Sequence, residues 1–201
     1  MILSTAYFPP VAYFCLLASS PHVQIEACES YRKQTWRNRC RILTSNGPMD
    51  LRVPVLHDGE RLISGIRVDW STPWLRQTEY AIDTAYYSSP FFEYYRDELF
   101  DLLDRHRERL WDLNMDLIDF FCRKIGIAPI IEPTTDWVAS VPDDWRDALS
   151  PKRACPIACR PYWQVFRERF GFVDGMSVMD LLFNEGPESL PYLAYSESTS
   201  C

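Results

Sequence analysis

Glycine is scarce in this sequence, and the motifs that depend on it are absent. The 201 residues include seven glycines against fifteen prolines. A glycine-rich phosphate loop, a dinucleotide-binding fingerprint and a GxSxG nucleophile elbow each need glycines at fixed spacings, and none of these patterns occurs. The sequence therefore lacks the local motifs of those enzyme classes. We expect prolines to end many of its helices and strands, because proline cannot continue either.

Long apolar runs and N-terminal basic residues are also missing. No window approaches the ~18 apolar residues of a membrane span. The first twenty residues are mostly apolar, but no lysine or arginine precedes Arg32, and Pro9-Pro10 interrupts the run. A signal peptide has a basic region followed by an unbroken apolar one. We therefore expect a cytoplasmic chain with no signal peptide and no membrane span.

The cysteines show neither disulfide nor metal-ligand spacing. Seven cysteines is an odd number, which favours reduced thiols in a cytosol. The short pair Cys155-x-x-x-Cys159 has no second pair or nearby histidine, whereas structural zinc normally uses four ligands. We predict no metal site and no cofactor. A Cys/His nucleophile pair stays open as an alternative, because its partners need not be adjacent in sequence.

Composition indicates one folded domain with an acidic surface. Hydrophobic residues make up 47% and aromatic residues 14% of the chain, which is ample for a buried core. The net charge of −7 argues against nucleic acid as a partner. Any recognition of an anion must therefore be local. No feature of the sequence indicates an oligomeric state.

The order of the predicted elements indicates an α/β or α+β fold. Strands at 2–8 and 22–27, a helix from Pro10 to about residue 19, and a hairpin around Asn46-Gly47-Pro48 predict an N-terminal mixed β-sheet. A central bundle of three to four helices should follow, and short C-terminal helices should close the chain. We expect a single domain over 1–194 and a frayed tail over 195–201.

Proline, serine and glycine residues that favour helix starts or stops predict where the helices lie. Pro73 and Ser89-Pro90 predict two starts, a break is expected near 104–108, and Gly126 predicts a stop. Ser177-Val178-Met179-Asp180 is a capping-box pattern, in which Asp180 would bond back to the Ser177 backbone. The proline-rich segment 133–161 has few periodic apolar residues. It predicts either a functional loop or a simple tether.

The segment 31–41 carries five positive charges and no acidic residue. If 37–41 is extended, Arg37, Arg39 and Arg41 point to one face. Guanidinium groups bind phosphate or carboxylate through two parallel hydrogen bonds, so an anion site is one interpretation. A solvated row, or pairing with the acidic helix residues over 97–119, is the structural alternative. RNA binding, with Tyr31 and Trp36 as stacking surfaces, is a third hypothesis that the net charge disfavours.

Several motifs resemble the WbqC-like family of bacterial proteins, whose founding members lie among genes for O-antigen and other surface polysaccharides. The similar stretches are 7–14 (YFPPVAYF), 33–42 (KQTWRNRCRI), 46–48, 53–54, 89–95 (SPFFEYY), 112–114 and 177–187 (SVMDLLFNEGP). Many longer members begin with a His-Gln-Pro motif, where this chain has Thr5-Ala6-Tyr7. The chain therefore resembles a shorter branch of the family.

The resemblance implies a group-transfer enzyme, with acyl, aminoacyl or glycosyl-related chemistry, that acts as an accessory in surface-polysaccharide biosynthesis. The expected partner is an anionic small molecule, a phosphorylated or nucleotide-linked sugar. A non-catalytic binding or scaffold protein is the alternative. Together, the resemblance and the charge pattern nominate as anion or substrate contacts Lys33, Arg37, Asn38, Arg39, Arg41 and Asn184, and as catalytic candidates Asp180 and Glu185. This hypothesis requires 33–41 and 177–187 to line one cavity.

Overall fold

A computed structural model describes residues 1–194 and the backbone of Ser196–Glu197. The rest of the predicted tail 195–201 lies outside the described residues. The strands are β1 (Ile2–Ser4), β2 (His22–Glu26), β3 (Arg39–Thr44), β4 (Gly47–Arg52), β5 (Ile130–Pro133), β6 (Ile157–Ala158) and β7 (Ser196–Glu197). The helices are α1 (Val11–Ser19), α2 (Trp74–Tyr86), α3 (Phe92–Leu103), α4 (Leu110–Ile125), α5 (Arg167–Phe170) and α6 (Val178–Glu185). The predicted combination of N-terminal strands and a helical middle is confirmed.

The N-terminal strands form a three-stranded parallel sheet in the order β1-β2-β5. Helix α1 makes the crossover from β1 to β2, because parallel neighbours cannot be joined by a tight turn. Seven of its nine residues are buried, which is the pattern of a helix enclosed on all sides. The sheet and α1 therefore contribute to one core, which also includes residues of the hairpin and of α2, α3, α4 and α6.

Strands β3 and β4 form a separate antiparallel hairpin. Their register pairs Arg39 with Arg52 at the open end and Thr44 with Gly47 at the turn. Gly47 has φ +102°, a conformation that residues with a Cβ rarely adopt. The predicted hairpin is thus confirmed. The N-terminal strands do not join one mixed sheet, because β1, β2 and β5 form a parallel sheet and β3 and β4 form this separate hairpin.

The helices in the middle of the chain begin and end near the predicted positions. Helix α3 ends at Leu103 and α4 begins at Leu110, which confirms the break. Gly126 caps α4, and its left-handed φ of 85° lets the Ile127 N–H turn back to the Cys122 carbonyl, which also accepts from the Gly126 N–H. Helix α6 packs against α1, α3, α4 and β3, so it lies in the middle of the molecule.

The proline-rich segment is largely irregular, but part of it is fastened to the sheet. Ile2 donates its backbone N–H to Asp143, and Trp145 donates to the Ile2 carbonyl, so 143–145 runs along the edge of β1. The Arg146 side chain then turns inward and is almost completely buried. Within residues 1–194, none of the helices combines the length and the apolar character that crossing a bilayer requires.

Candidate functional site

The basic segment does not begin as an extended strand. Trp36–Asn38 is a turn of 3-10 helix, in which the Thr35 hydroxyl accepts a hydrogen bond from the Arg37 N–H. The Arg37 carbonyl accepts from Asn114 of α4 at 2.8 Å. Because of this turn, Arg37 leaves the face that Arg39 and Arg41 share, and the predicted row of three arginines is broken.

Arg37 forms a buried ion pair instead. Its Nε lies 2.8 Å from Glu29 Oε1, and its Nη2 donates to Glu29 Oε2 and to the Ser4 hydroxyl. Both charged side chains are less than 5% exposed. A buried pair of this kind holds the segment to the end of β1, since breaking it would leave an uncompensated charge in the core.

Asp50 binds both remaining arginines of the strand. Its Oδ2 accepts from Arg39 Nη1 at 2.9 Å, and its Oδ1 accepts from Arg41 Nε at 2.9 Å. The Arg41 guanidinium also lies over the Trp36 ring, 5.6 Å from its centre. One carboxylate therefore orients two guanidinium groups and leaves a net positive charge.

Arg39 faces an open basic cleft of about 430 Å³ at the free end of the hairpin. Lys33, Arg39, Arg52 and His57 line this cleft, together with polar and aromatic side chains that include Tyr31, Gln34, Asn38, Thr72 and Trp74. No carboxylate is part of its lining. The Asn38 amide donates to the Val53 carbonyl at 2.9 Å, which ties one wall of the cleft to the other. We call this feature the basic cleft.

The two arginines of the basic cleft stand directly opposite each other. Arg39 and Arg52 are register partners across the hairpin, and like charges at directly opposed positions destabilise a strand pair. Asp50 compensates Arg39, but among residues 1–194 no acidic side chain pairs with Arg52. The arrangement therefore presents uncompensated positive charge, together with Lys33, at a place where an anion can bind.

Asp180 is enclosed in the core, away from the basic cleft. Its Oδ2 accepts hydrogen bonds from the Tyr162 hydroxyl and from Gln164 Nε2, both at 2.7 Å. Burial raises the pKa of this carboxyl to about 6, against the opposing effect of these hydrogen bonds. The prediction that Asp180 is the reciprocal cap of α6 is wrong, because the Ser177 N–H donates to the Arg41 carbonyl instead.

Asn184 and Glu185 are placed by α6 in two further environments. Asn184 is buried and donates its amide to the Asp180 carbonyl at 2.7 Å. Glu185 accepts from the Trp163 N–H at 2.8 Å and lines a cavity of about 340 Å³ with Arg167 and Tyr192. Among the described residues, Glu185 forms no ion pair with an arginine of segment 31–41.

The family assignment rests on a match to residues 5–151, which is most of the chain, by the model of the WbqC-like protein family. The chain belongs to the WbqC-like protein family. An uncharacterized protein of Mycobacterium tuberculosis, Rv1507c, is 27% identical to it over 229 aligned residues that cover 96% of each chain. No solved structure matches. Every residue that lines the basic cleft lies inside the matched region, whereas Asp180 and Glu185 lie beyond it.

In this WbqC-like chain the two nominated segments touch, but their functional side chains do not meet. The Ser177 N–H donates to the Arg41 carbonyl at 2.7 Å, so the start of α6 lies against β3. From this junction Arg39 faces the basic cleft, Asp180 faces the core, and Glu185 faces the cavity beside Trp163. Backbone proximity has therefore not produced a shared cavity.

Arg52, His57 and Trp74 also line the basic cleft, although no sequence pattern nominated them. The sequence could have predicted Arg52, because counting outward along both strands from the Asn46-Gly47 turn places it opposite Arg39. His57 and Trp74 follow irregular chain and carry no local signal. The six cysteines that the structure describes are free thiols. Within the described part of the chain, no three His, Cys, Asp or Glu side chains are grouped to hold a metal ion.

Proposed function

We propose that this chain binds a phosphorylated or nucleotide-linked sugar in the basic cleft and takes part in a group-transfer reaction of bacterial surface-polysaccharide biosynthesis. The observation that carries the proposal is the direct opposition of Arg39 and Arg52 in a cleft that no carboxylate lines. A phosphate between the two guanidinium groups would relieve their repulsion and accept hydrogen bonds from both.

Lys33 extends the positive charge beyond this arginine pair, and His57 adds an imidazole to the lining. The pyrophosphate of a nucleotide sugar carries two negative charges, whereas Asp50 already compensates Arg39 in part. Lys33 and His57 therefore supply additional donors. Tyr31 and Trp74 give the same cleft aromatic walls, which suit the base or sugar of the ligand. We therefore assign phosphate binding to Lys33, Arg39 and Arg52.

The other nominated residues take different roles in this proposal. Arg37 pairs with Glu29 and does not line the cleft, and the Asn38 amide binds the Val53 carbonyl, so we assign neither a contact with the ligand. Asn184 lies in the core. Neither Asp180 nor Glu185 lines the basic cleft, and His57 replaces them as the candidate general base. Histidine is the side chain that most often transfers protons near neutral pH.

A non-catalytic binding protein is the second candidate. It is favoured by the same lining, because the basic cleft contains anion donors without the carboxylate that the original hypothesis required. The two candidates share the binding step and differ in the role of His57. Under the binding hypothesis, His57→Asn alters affinity alone, whereas under the enzyme hypothesis it also abolishes turnover.

Calorimetric titration with UDP-N-acetylglucosamine and dTDP-glucose tests the shared step. We expect saturable binding of at least one, and Arg52→Ala should weaken it by about tenfold to a hundredfold, the effect of one charged hydrogen-bond partner. Arg52 suits this test because its side chain is exposed and forms no ion pair within residues 1–194. Its loss should leave the fold intact.

Arg105→Ala is the matched control. Arg105 is an exposed arginine in the loop between α3 and α4, away from the cleft lining. Its removal changes the net charge equally and should leave affinity within twofold of wild type. Equal weakening by Arg52→Ala and Arg105→Ala would reduce the effect to net charge. Absence of binding by the wild-type chain would refute the proposal.

A further inference from the structure

A second cavity lies on the other side of Asp50. It has a volume of about 200 Å³, and Arg41 and Trp36 form one of its walls. Residues of the proline-rich segment and of the chain before α6 also line it, among them Arg153 and Asp174. This volume is below the ~300–1,000 Å³ of sites for drug-sized ligands. The cavity therefore suits a small metabolite.

Charges of both signs border this space without neutralising each other. Arg41 is oriented by Asp50 and by its position over the Trp36 ring, which leaves its Nη atoms without a partner among the described residues. Arg153 forms no ion pair within residues 1–194, and Asp174 accepts only the neighbouring Gly175 N–H there. The cavity therefore carries two guanidinium groups and one carboxylate that do not pair with one another.

The remainder of the lining is mainly apolar. Pro10, Ala12, Leu149 and Pro151 contribute to it, and Trp36 adds an aromatic surface. A ligand that fits these walls has a carboxylate for the arginines, a cationic group for Asp174 and a compact apolar part. A phosphate ester would meet the arginines but would be repelled by the exposed carboxylate of Asp174.

We propose that this cavity binds a free α-amino acid with a small or medium-sized apolar side chain. Arg41 and Arg153 bind its carboxylate, and Asp174 binds its ammonium group. The role of the amino acid as the second substrate of group transfer rests on the proposed function. Its binding does not, because the residues of this cavity are not those that bind phosphate in the basic cleft.

Calorimetry with four small ligands tests the charge requirement. L-alanine and L-leucine carry both charges, L-lactate lacks the ammonium group of alanine, and ethylamine lacks its carboxylate. We expect saturable binding of at least one amino acid, at least tenfold weaker binding of lactate, and no measurable binding of ethylamine. Absence of binding by both amino acids, or equal binding of lactate and alanine, would overturn the inference.

Two variants assign the contacts. Arg153→Gln should weaken amino-acid binding at least tenfold, and Asp174→Asn should remove the preference for alanine over lactate. Lys152→Gln is the matched control, since Lys152 is an exposed neighbour outside the cavity lining. Unchanged affinities in both cavity variants would place the amino acid elsewhere and overturn the assignment.

The basic cleft provides the independent readout. Nucleotide-sugar binding that persists without amino-acid binding would refute this inference and leave the proposed function standing. Amino-acid binding without nucleotide-sugar binding would support the cavity and refute the function proposed for the cleft. If the wild-type chain bound neither the nucleotide sugars nor the amino acids, this inference and the proposed function would both be refuted.

Discussion

Asp50 Oδ2 accepts a hydrogen bond from Arg39 Nη1 at 2.9 Å, and this contact fixes one wall of the basic cleft. The other oxygen of the same carboxylate accepts from Arg41 Nε, on the side of the second cavity. Asp50 thus binds two guanidinium groups, one of which lines the basic cleft and the other the second cavity. Both proposals depend on this one acidic residue in a basic hairpin.

Replacing Asp50 with Asn should lower the free energy of unfolding by about 1–3 kcal/mol, because two guanidinium groups lose a charged acceptor. Sodium phosphate should stabilise Asp50→Asn more than it stabilises the wild type at equal ionic strength, since a bound anion would take the place of the carboxylate. Urea unfolding in chloride and in phosphate measures both effects. Asp119→Asn, which breaks the exposed pair with Arg123, should change stability by less than about 1 kcal/mol. Equal phosphate effects in all three proteins would contradict the prediction.

The buried carboxyl of Asp180 should make stability depend on pH. Its pKa is raised from 3.8 to about 6 in the folded chain, so between these values the folded state holds a proton that the unfolded state has lost. The contribution of Asp180 to stability is therefore fully present below the lower value and is lost as pH rises through this window, by about 2–4 kcal/mol in all.

Asp180→Asn should flatten this decline, since an amide keeps an acceptor oxygen for Tyr162 and Gln164 and cannot ionise. Urea unfolding at intervals between pH 4 and pH 7 gives the slope. Asp101→Asn, an exposed site on α3, should retain the wild-type slope. A wild-type slope that survives in Asp180→Asn would show that another group is responsible.

Arg146 fastens the proline-rich segment to the core, and its loss should be severe. Its Nη1 lies 2.8 Å from Glu26 Oε2, which is fully buried at the end of β2, and its guanidinium lies over Trp137. Arg146→Met should lower the free energy of unfolding by about 3–5 kcal/mol, because Glu26 becomes an unpaired buried charge.

The double variant Glu26→Gln/Arg146→Met separates charge from packing. It should recover most of the lost stability, since it removes both charges and retains similar volume. Denaturant unfolding of the two single variants and the double variant gives the coupling energy. A loss below about 1 kcal/mol for Arg146→Met would indicate that the segment is only a tether.

Gly186 explains part of the 177–187 motif without catalysis. Its φ is +54°, and a Cβ at this position would lie 2.5 Å from ring atoms of Phe91. Gly186→Ala should destabilise the chain by about 2–4 kcal/mol, from backbone strain and overpacking together. Gly59→Ala also places alanine at positive φ but meets no atom within 4 Å, so it should have a smaller effect in thermal unfolding. Equal effects would remove the contact with Phe91 from the explanation.

Local sequence signals predicted the ends of helices well where those ends depend on contacts between neighbouring residues. Gly126 ends α4 in the left-handed conformation that its position implied, and Ser177 accepts from the Met179 N–H at the start of α6. Both depend on residues within one turn of helix. The Asp180 capping prediction failed for the opposite reason, because Tyr162 and Gln164 reach this carboxylate from another segment.

The conformation of the basic segment and the partners of its arginines could not be predicted from sequence patterns. Its charge pattern is a property of sequence, but Asn114 binds the Arg37 carbonyl from 77 residues away, and the extended row gives way to a turn there. Glu29 then takes the Arg37 guanidinium into the core. A count of positive charges cannot distinguish an arginine that compensates a buried acid from one that faces a ligand.

By itself the sequence determined the fold class, the hairpin, the helix ends and the presence of a basic segment, because periodicity, turn residues and charge act over a few neighbouring positions. Only the tertiary structure decided how that charge is distributed: Arg37 to a buried pair, Arg39 to the basic cleft, and Arg41 to the second cavity. It likewise enclosed Asp180 in the core. The physical reason is that a side chain's partners are set by which distant segments pack beside it, and burial then gives each charge its strength.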